Sequence, residues 1–316
     1  MSELIHRKGV FMSHTICGPD LRAVHAVPLT PFDAQNRVNL DLYAEHIQRL
    51  YAAGTRVFLP AAGTSEFHSL SRSEIESIVA TTCQAAGTDA VILAPVGGAI
   101  GDALALAEAA LTAGASGLMV MPLTHPYLCD QGATDYYECL VESTKMPTII
   151  YKTREIPSDA CLLKLSENPL IIGIKYAVNQ LDQFQMVLDQ SPAECEWLCG
   201  SAERFAPYYM LAGATGFTSG AINICPRLVL ALHTALIEKD LTKAMSLQRL
   251  ILPIEHYRAR LGESYSISML KYGMQTLGYD FGPARTPQRQ LTSHEREEIE
   301  ILLRPILEQE AAALLV

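Results

Sequence analysis

The sequence predicts an α/β protein with the (β/α)8 barrel architecture, and three observations support this. Eight short β-rich runs recur along the first two thirds of the chain, each followed by a segment with helical periodicity. The runs are continuously apolar, as in strands buried on both faces of a parallel sheet. The first run is followed by "TPFDAQNRVN", which lacks the phosphate-binding glycines expected of an open doubly wound sheet. A closed barrel is therefore preferred over the open sheet.

The strands and helices alternate at a spacing of about 20–35 residues, which is the size of a βα unit. Ser71 stands three residues before Glu74, a spacing that predicts a capping box at a helix start. Gly54, Gly87 and Gly114 follow helical stretches and predict their ends. The predicted strands cover residues 23–30, 55–62, 89–96, 116–123, 147–152, 170–175, 195–200 and 214–221.

The strand signal ends near residue 226, and residues 227–316 read as helices broken by the turn "GYDFGPARTPQRQLTS". No linker of low complexity separates this part from the barrel. We therefore expect an N-terminal extension over 1–20, a barrel over 21–235, and a helical region over 236–316 that packs on the barrel.

Composition limits the class of function. Apolar residues make up 49% of the chain and charged residues 18%, which suits a globular protein with a large core. The formal charge of −10 argues against a nucleic-acid partner. No apolar run has the length of a membrane span, and the first twenty residues lack the pattern of a signal peptide. A small-molecule substrate is the expected partner.

The eight cysteines are irregularly spaced and form no CxxC pair, and no His/Asp/Glu cluster has metal-ligand spacing. We expect reduced thiols, a cytoplasmic location, and neither a metal nor another cofactor.

The stretch "PLIIGIKYA" reads as a buried strand that ends in Lys175. A free lysine has a pKa of about 10.4, so an amine at pH 7 is a poor nucleophile unless burial lowers that pKa. A neutral amine at the top of a barrel can attack a ketone and form a Schiff base. The alternative is a lysine whose head extends into solvent or joins a salt bridge.

Two further features favour the catalytic interpretation. Tyr151 ends the preceding strand, where its hydroxyl could shuttle protons beside Lys175. The loop "AAGTSEF" follows the second strand, and its small residues can present N–H groups to a carboxylate. Taken alone, each is a common feature, since a tyrosine often packs in a core and most βα loops contain Gly, Ser or Thr.

With these residues the chain resembles the dihydrodipicolinate synthase/N-acetylneuraminate lyase family of Schiff-base-forming (β/α)8 enzymes that act on pyruvate and related 2-keto acids. The matching segments appear in the family's order over about residues 20–312. They are "AVPLTPFD", "AAGTSEF", "PTIIYK", "GIKYA", Gly200, "AGATGFTSGAIN" and "GPARTPQRQLT".

The resemblance implies a set of site residues. Lys175 is the expected Schiff-base lysine, Tyr151 the proton-relay tyrosine and Thr64 a second proton-moving group. Gly63, Thr64 and Ser65 are expected to hold the carboxylate of the keto acid. The remaining expected substrate-binding positions are Gly200, Thr218 near a backbone carbonyl, and Tyr127 as the nearest match to the second relay tyrosine.

The loop sequence distinguishes branches of the family. Synthases and lyases carry two hydroxyl residues in "GTTGE" or "GSTGE", whereas this chain has Gly63 at the first position. The run "GTSEFHSL" is similar to the "GTGEFFSL" of 5-dehydro-4-deoxyglucarate dehydratases, although "KYA" stands where those enzymes have "KDG". We therefore expect a 2-keto-3-deoxy sugar-acid dehydratase or aldolase.

Four polar residues around these segments have less specific interpretations. Arg154 either clamps a distal carboxylate or lies on the surface beside Glu155. Lys152 is expected to face solvent. Glu66 is expected to support its loop by accepting backbone hydrogen bonds, and Glu203 to be a supporting or helix-face residue.

Two other functions stay open from the sequence. One is a pyruvate-dependent condensing enzyme like dihydrodipicolinate synthase, and the other is a non-catalytic 2-keto-acid binding protein. The resemblance also implies a homotetramer built as a dimer of dimers.

Overall fold

A computed structural model describes residues 16–313 of the chain. Eight parallel strands form a closed barrel in the order β1 to β8, and β1 pairs with β8. The predicted (β/α)8 barrel is confirmed. The strands are β1 Val24–Ala26, β2 Val57–Phe58, β3 Val91–Val96, β4 Gly117–Val120, β5 Thr148–Lys152, β6 Ile171–Tyr176, β7 Glu196–Cys199 and β8 Phe217–Ser219.

Every predicted strand is present, but most are shorter than the apolar runs. The second run illustrates the reason, because only Val57 and Phe58 form the strand while Leu59, Ala61 and Ala62 continue fully buried into the loop. An apolar run records burial, and burial extends beyond the last ladder hydrogen bond at the barrel mouth.

The helices of the barrel lie between the strands. They are α1 Leu40–Ala52, α2 Arg72–Ala85, α3 Ile100–Ala113, α4 Asp130–Thr144, α5 Asp159–Ser166, α6 Leu181–Leu188, α7 Ala202–Leu211 and α8 Pro226–Ile237. The capping box predicted at Ser71 and Glu74 begins α2. Gly114 adopts a left-handed conformation (φ 87°) that ends α3, as the sequence indicates.

Four further helices follow the barrel: α9 Leu241–Arg258, the short α10 Arg260–Glu263, α11 Ser266–Thr276 and α12 Ser293–Ala312. They pack on it. The Glu310 carboxylate of α12 accepts the backbone N–H groups of Arg227 and Leu228 (both 3.0 Å), at the start of α8. A carboxylate at this position satisfies otherwise unpaired amides and complements the helix dipole. The predicted division at residues 20 and 235 stays a prediction, and the first fifteen residues of the expected extension lie outside the described part.

The amino end of the barrel is closed by a 3-10 turn over Gly18–Leu21. Leu21 is fully buried, and an added Cβ at Gly173 would lie 2.8 Å from its Cδ1. The described helices include none that is long and apolar enough to cross a membrane. The open carboxyl end of the barrel is therefore the place for a site.

Candidate active site

Lys175 lies near the carboxyl end of β6, opposite Tyr151 of β5 in the parallel register. Only 4% of its surface is exposed, and burial lowers the pKa of its amine to about 7. Within residues 16–313, no carboxylate forms an ion pair with its Nζ atom. The amine is therefore shielded from water and can lose its proton near neutral pH. This differs from a lysine whose ammonium group extends into solvent.

The Tyr151 ring packs against the Lys175 amine. The Nζ atom of Lys175 lies 3.8 Å from the centroid of the Tyr151 ring. Burial, with a contribution from the nearby Glu263 carboxylate, raises the pKa of the Tyr151 phenol to about 12. The phenol therefore stays protonated and can donate a proton beside the amine.

Gly200, directly after β7, leaves room for the lysine side chain. An added Cβ there would lie 3.1 Å from Cγ of Lys175, 2.9 Å from Cβ of Ala177 and 3.0 Å from the Tyr176 carbonyl oxygen. These separations are below ordinary van der Waals contact, so the position requires glycine. The expected role of Gly200 at the site thus has a steric basis.

The loop after β2 is tied firmly to its surroundings. The Ser65 hydroxyl donates to the Pro28 carbonyl, and the Thr30 hydroxyl donates to the Ser65 carbonyl (2.8 Å). The buried Glu66 carboxylate accepts the Arg285 backbone N–H (2.7 Å) and pairs with Lys271 (2.7 Å). Glu66 therefore supports the loop as the sequence predicts. Neither the Thr64 nor the Ser65 amide has an acceptor within residues 16–313.

A cavity of about 640 Å³ occupies the carboxyl end of the barrel. Its polar walls include side chains that can hydrogen-bond a hydroxylated ligand, among them Asn179, Ser201 and Gln288. The predicted site residues that line it are Gly63, Thr64, Tyr151, Lys175, Gly200 and Thr218.

Three predicted substrate-binding residues do not line this cavity. Ser65 is fully buried, and its side chain faces the segment after β1. Arg154 is exposed in the loop after β5. Tyr127 is 86% exposed and packs edge-on against His125. These three side chains thus do not belong to the cavity that Lys175 lines in this chain.

Lys152 is buried, which corrects the expectation that it faces solvent. Its Nζ atom donates to the carbonyls of Glu155 (3.0 Å) and Pro157 and lies 3.4 Å from the Asp159 carboxylate. Because side chains alternate along a strand, Lys152 points to the side opposite Tyr151, where the start of α5 covers it.

Two charged residues that line the cavity, and that no motif in the sequence indicates, come from the helices after the barrel. Arg258, at the end of α9, lines the cavity with 8% exposure and pairs with Glu255 (2.6 Å). Glu263, on α10, also lines the cavity. Arg258 and Glu255 are three residues apart on a helix, a pattern that usually marks a surface ion pair. No motif distinguishes them from such a pair.

Glu203 lies close enough to this ion pair for both of its charges to act on the Glu203 carboxyl group. It is fully buried and accepts a hydrogen bond from the cavity-lining Ser219 hydroxyl. Burial, reinforced by the neighbouring Glu255 carboxylate, raises the pKa of Glu203 to about 8. Glu203 is therefore a supporting residue, as expected, and it is mostly uncharged at neutral pH. The part of the chain described contains no group of three His, Cys, Asp or Glu side chains arranged to hold a metal ion.

The carboxyl end of this (β/α)8 barrel carries a buried lysine with a lowered pKa that packs against a tyrosine. These features define the class of barrel enzymes. A sequence model of the dihydrodipicolinate synthetase family matches residues 20–306. The chain belongs to this family and is a lyase-type enzyme.

Individual relatives agree with this membership. The chain is 29% identical over 281 residues to the probable 5-dehydro-4-deoxyglucarate dehydratase of Pseudomonas putida strain GB-1, covering 87% of this chain and 92% of that protein. A Pseudomonas putida protein named 5-dehydro-4-deoxyglucarate dehydratase is 28% identical over 284 residues, with 88% and 93% covered.

Solved structures show the same fold. The dihydrodipicolinate synthase of Bacillus clausii has a TM-score of 0.89 and 29% identity, covering 92% of this chain and 99% of that one. The synthase of Oceanobacillus iheyensis has a TM-score of 0.88 and 28% identity, with 92% and 97% covered.

Proposed function

We propose that this protein is a Schiff-base-forming dehydratase or aldolase for a 2-keto-3-deoxy sugar acid. The burial of the Lys175 amine 3.8 Å from the Tyr151 ring carries the proposal, because it supplies a neutral nucleophile beside a proton donor. The relatives named 5-dehydro-4-deoxyglucarate dehydratase support dehydration as the first choice.

The proposed chemistry begins when the Lys175 amine adds to the C2 ketone and water leaves, forming an iminium ion. The iminium withdraws electrons, so C3 can lose a proton and give an enamine. The enamine then expels the hydroxyl on C4 as water. In the aldolase variant, the C4 hydroxyl of the iminium loses its proton instead and the C3–C4 bond breaks, which gives an aldehyde and an enamine of pyruvate that is then protonated at C3. Hydrolysis of the imine releases the 2-keto product and the free lysine.

Tyr151 and Thr64 move protons in this scheme. The Tyr151 phenol donates to the departing water during imine formation and recovers the proton at hydrolysis. The C1 carboxylate binds to the part of the loop that lines the cavity, Gly63 and Thr64, and Glu66 and Ser65 anchor this loop.

Two alternatives are less well supported. A dihydrodipicolinate synthase-like condensing enzyme would need a substitute for the hydroxyl that is missing at Gly63, and Tyr127, the candidate second relay tyrosine, does not line the cavity of this chain. A non-catalytic 2-keto-acid binding protein would not need a lysine with a lowered pKa against a tyrosine. A homotetramer, implied by the family resemblance, and a cytoplasmic location, favoured by the reduced cysteines, are part of the proposal.

Borohydride reduction in the presence of pyruvate tests the imine. We expect intact-mass analysis to show one reduced pyruvyl group on the wild type and none on Lys175→Ala. An adduct that persists in Lys175→Ala, or no adduct on the wild type, would refute any imine mechanism at this residue. Product analysis with 2-keto-3-deoxy acids then separates dehydration from retro-aldol cleavage.

A further inference from the structure

We infer that Glu263 is the acid–base group that moves a proton between C3 and C4 of the substrate. In dehydration, its carboxylate takes the proton from C3 and gives it to the departing C4 hydroxyl, which leaves as water. In aldol cleavage, it takes the proton of the C4 hydroxyl and gives it to C3. This inference rests on the proposed function, since it assumes that the substrate is held as an imine on Lys175.

The proposed chemistry requires a carrier for this proton. Tyr151 is engaged at C2, because it gives its proton to the water that departs as the imine forms and recovers one when the imine is hydrolysed. The proton that moves between C3 and C4 needs a second group, which must line the cavity and must both accept and donate a proton.

Among the groups that line the cavity, Glu263 meets this requirement. Two carboxylates line it, Glu255 and Glu263, and within residues 16–313 no histidine or cysteine does. Glu255 is paired with Arg258 (2.6 Å). Arg260, the arginine nearest to Glu263 along the chain, is paired with Glu298 (2.9 Å). In the described part of the chain, no side chain forms an ion pair or hydrogen bond with the Glu263 carboxylate, which is therefore available as a proton acceptor.

The Glu263 carboxylate lies at the mouth of the barrel, within reach of two sides of the ring. Burial raises the pKa of the Tyr151 phenol on β5, and Glu263 lies close enough to add to this effect. The same carboxylate acts on the Arg258 guanidinium, which contacts residues that follow β2 and β8, on the far side of the ring from β5. We expect C3 and C4 of a substrate bound to Lys175 to occupy the space between these two sides.

The backbone that carries Glu263 has an unusual conformation. Leu261, Gly262 and Glu263 are three consecutive left-handed residues, with φ angles of 47°, 66° and 66°. Residues other than glycine adopt this conformation singly and at a cost in free energy, and such outliers concentrate at functional sites. Packing does not explain the turn, because 75% of the Leu261 surface is exposed. Its effect is to bring Glu263 to the cavity.

Both ends of the turn are anchored. The Arg260 guanidinium packs over the rings of Tyr257 and Tyr265, at 4.5 and 5.1 Å from their centroids. The Tyr265 hydroxyl donates to the Glu295 carboxylate of α12 (2.5 Å). The backbone of Glu263 is therefore positioned before a substrate binds. Its side chain is exposed, so a proton that it accepts can exchange with water.

Deuterium exchange at C3 of pyruvate tests the inference without the natural substrate. An imine of pyruvate on Lys175 exchanges its C3 hydrogens through the enamine, and NMR in D2O measures the rate. We expect Glu263→Gln to slow this exchange by about 100-fold or more, the usual contribution of a general base. The same variant should form the borohydride-trapped adduct as the wild type does. The control Glu297→Gln, which removes an exposed carboxylate on α12, should match the wild type in both measurements.

Two further variants of Glu263 separate a proton carrier from a structural residue. Glu263→Asp should retain part of the exchange rate, because it keeps the carboxylate on a shorter side chain. Added formate should restore part of the exchange in Glu263→Ala, because a free carboxylate can enter the space that the substitution opens. With a 2-keto-3-deoxy acid that the wild type turns over, kcat of Glu263→Gln should fall by about the same factor as the exchange rate.

Leu261 tests the role of the turn. Leu261→Gly suits a left-handed backbone and should exchange as the wild type does, whereas Leu261→Pro fixes φ at about −65° and should lose the exchange. Because Leu261 is exposed, neither change removes a buried side chain. Wild-type exchange in Leu261→Pro would show that the turn does not position Glu263.

The outcomes separate this inference from the proposed function. No pyruvate adduct on the wild type would refute the proposed function itself. An adduct together with wild-type exchange in Glu263→Gln would refute only the role of Glu263 and would leave Tyr151 as the group that serves C3. Loss of the adduct in a folded Glu263→Gln protein, or slow exchange that neither aspartate nor formate restores, would also overturn the assignment.

Discussion

The Nζ atom of Lys175 lies 3.8 Å from the centroid of the Tyr151 ring, with no carboxylate paired to it in the described part of the chain. A ring face attracts an ammonium by about 2 kcal/mol when the pair is desolvated. Lowering a lysine pKa from 10.5 to about 7 requires about 5 kcal/mol in the opposite direction. Burial therefore outweighs the attraction of the ring, and the amine becomes available as a nucleophile.

The rate of imine formation should depend on pH near neutrality. Because only the neutral amine attacks, the rate of borohydride-trapped adduct formation with pyruvate should rise through about pH 7 and level off above about pH 8. Rapid-quench measurement of the adduct by mass gives this profile. A rate that keeps rising tenfold per pH unit up to pH 9 would show that the lysine has an ordinary pKa.

Replacing Lys175 with methionine should stabilise the folded protein at neutral pH. Between about pH 7 and pH 10, the unfolded chain binds the proton that the folded Lys175 has lost, so the stability of the wild type rises with pH. We expect Lys175→Met to increase the free energy of unfolding by roughly 2–4 kcal/mol at pH 7 and by less than about 1 kcal/mol at pH 10. Urea unfolding at both pH values measures this, and a gain that does not shrink with pH would contradict it.

Gly200→Ala should disturb the site through the lysine side chain. The new Cβ would lie 2.9 Å from Ala177 Cβ and 3.1 Å from Lys175 Cγ, and such overpacking costs about 1–3 kcal/mol. We expect this loss of stability together with slower adduct formation on Lys175. The matched control is Gly101→Ala on α3, where nothing lies within 4 Å of the added Cβ, and this change should leave adduct formation unaltered.

The barrel and the Lys175–Tyr151 pair could both be predicted from the sequence, for the same physical reason. Strands buried on both faces are recognisable as apolar runs, and the carboxyl ends of successive parallel strands meet at one rim. The direction of the Ser65 side chain could not be predicted from the sequence. It depends on the left-handed backbone conformations of Ala61 and Glu66, in a loop of consecutive turns. Such conformations are set by tertiary contacts, here with Pro28.

Arg258 was missed for a different reason. It reaches the cavity from a helix beyond the last strand, and the packing of that helix on the barrel is not encoded in any local motif. Its partner Glu255, three residues earlier, makes the pair resemble an ordinary exposed one. Only the three-dimensional position next to Gly220 and Thr64 reveals its relation to the site.

The buried pair between Glu66 and Lys271 should link the stability of the carboxylate-binding loop to the helices after the barrel. The two side chains are 2.7 Å apart and almost fully buried, and Glu66 also accepts the Arg285 amide. Glu66→Gln leaves the Lys271 amine without a charged partner, and breaking such a pair costs about 3–5 kcal/mol. We expect that loss in urea unfolding, with weaker pyruvate trapping because the loop loses its anchor.

The double variant Glu66→Met/Lys271→Met should recover stability, since no buried charge is left unpaired, but it should not restore pyruvate trapping. If Glu66→Gln were as stable as the wild type, the pair would not hold the loop.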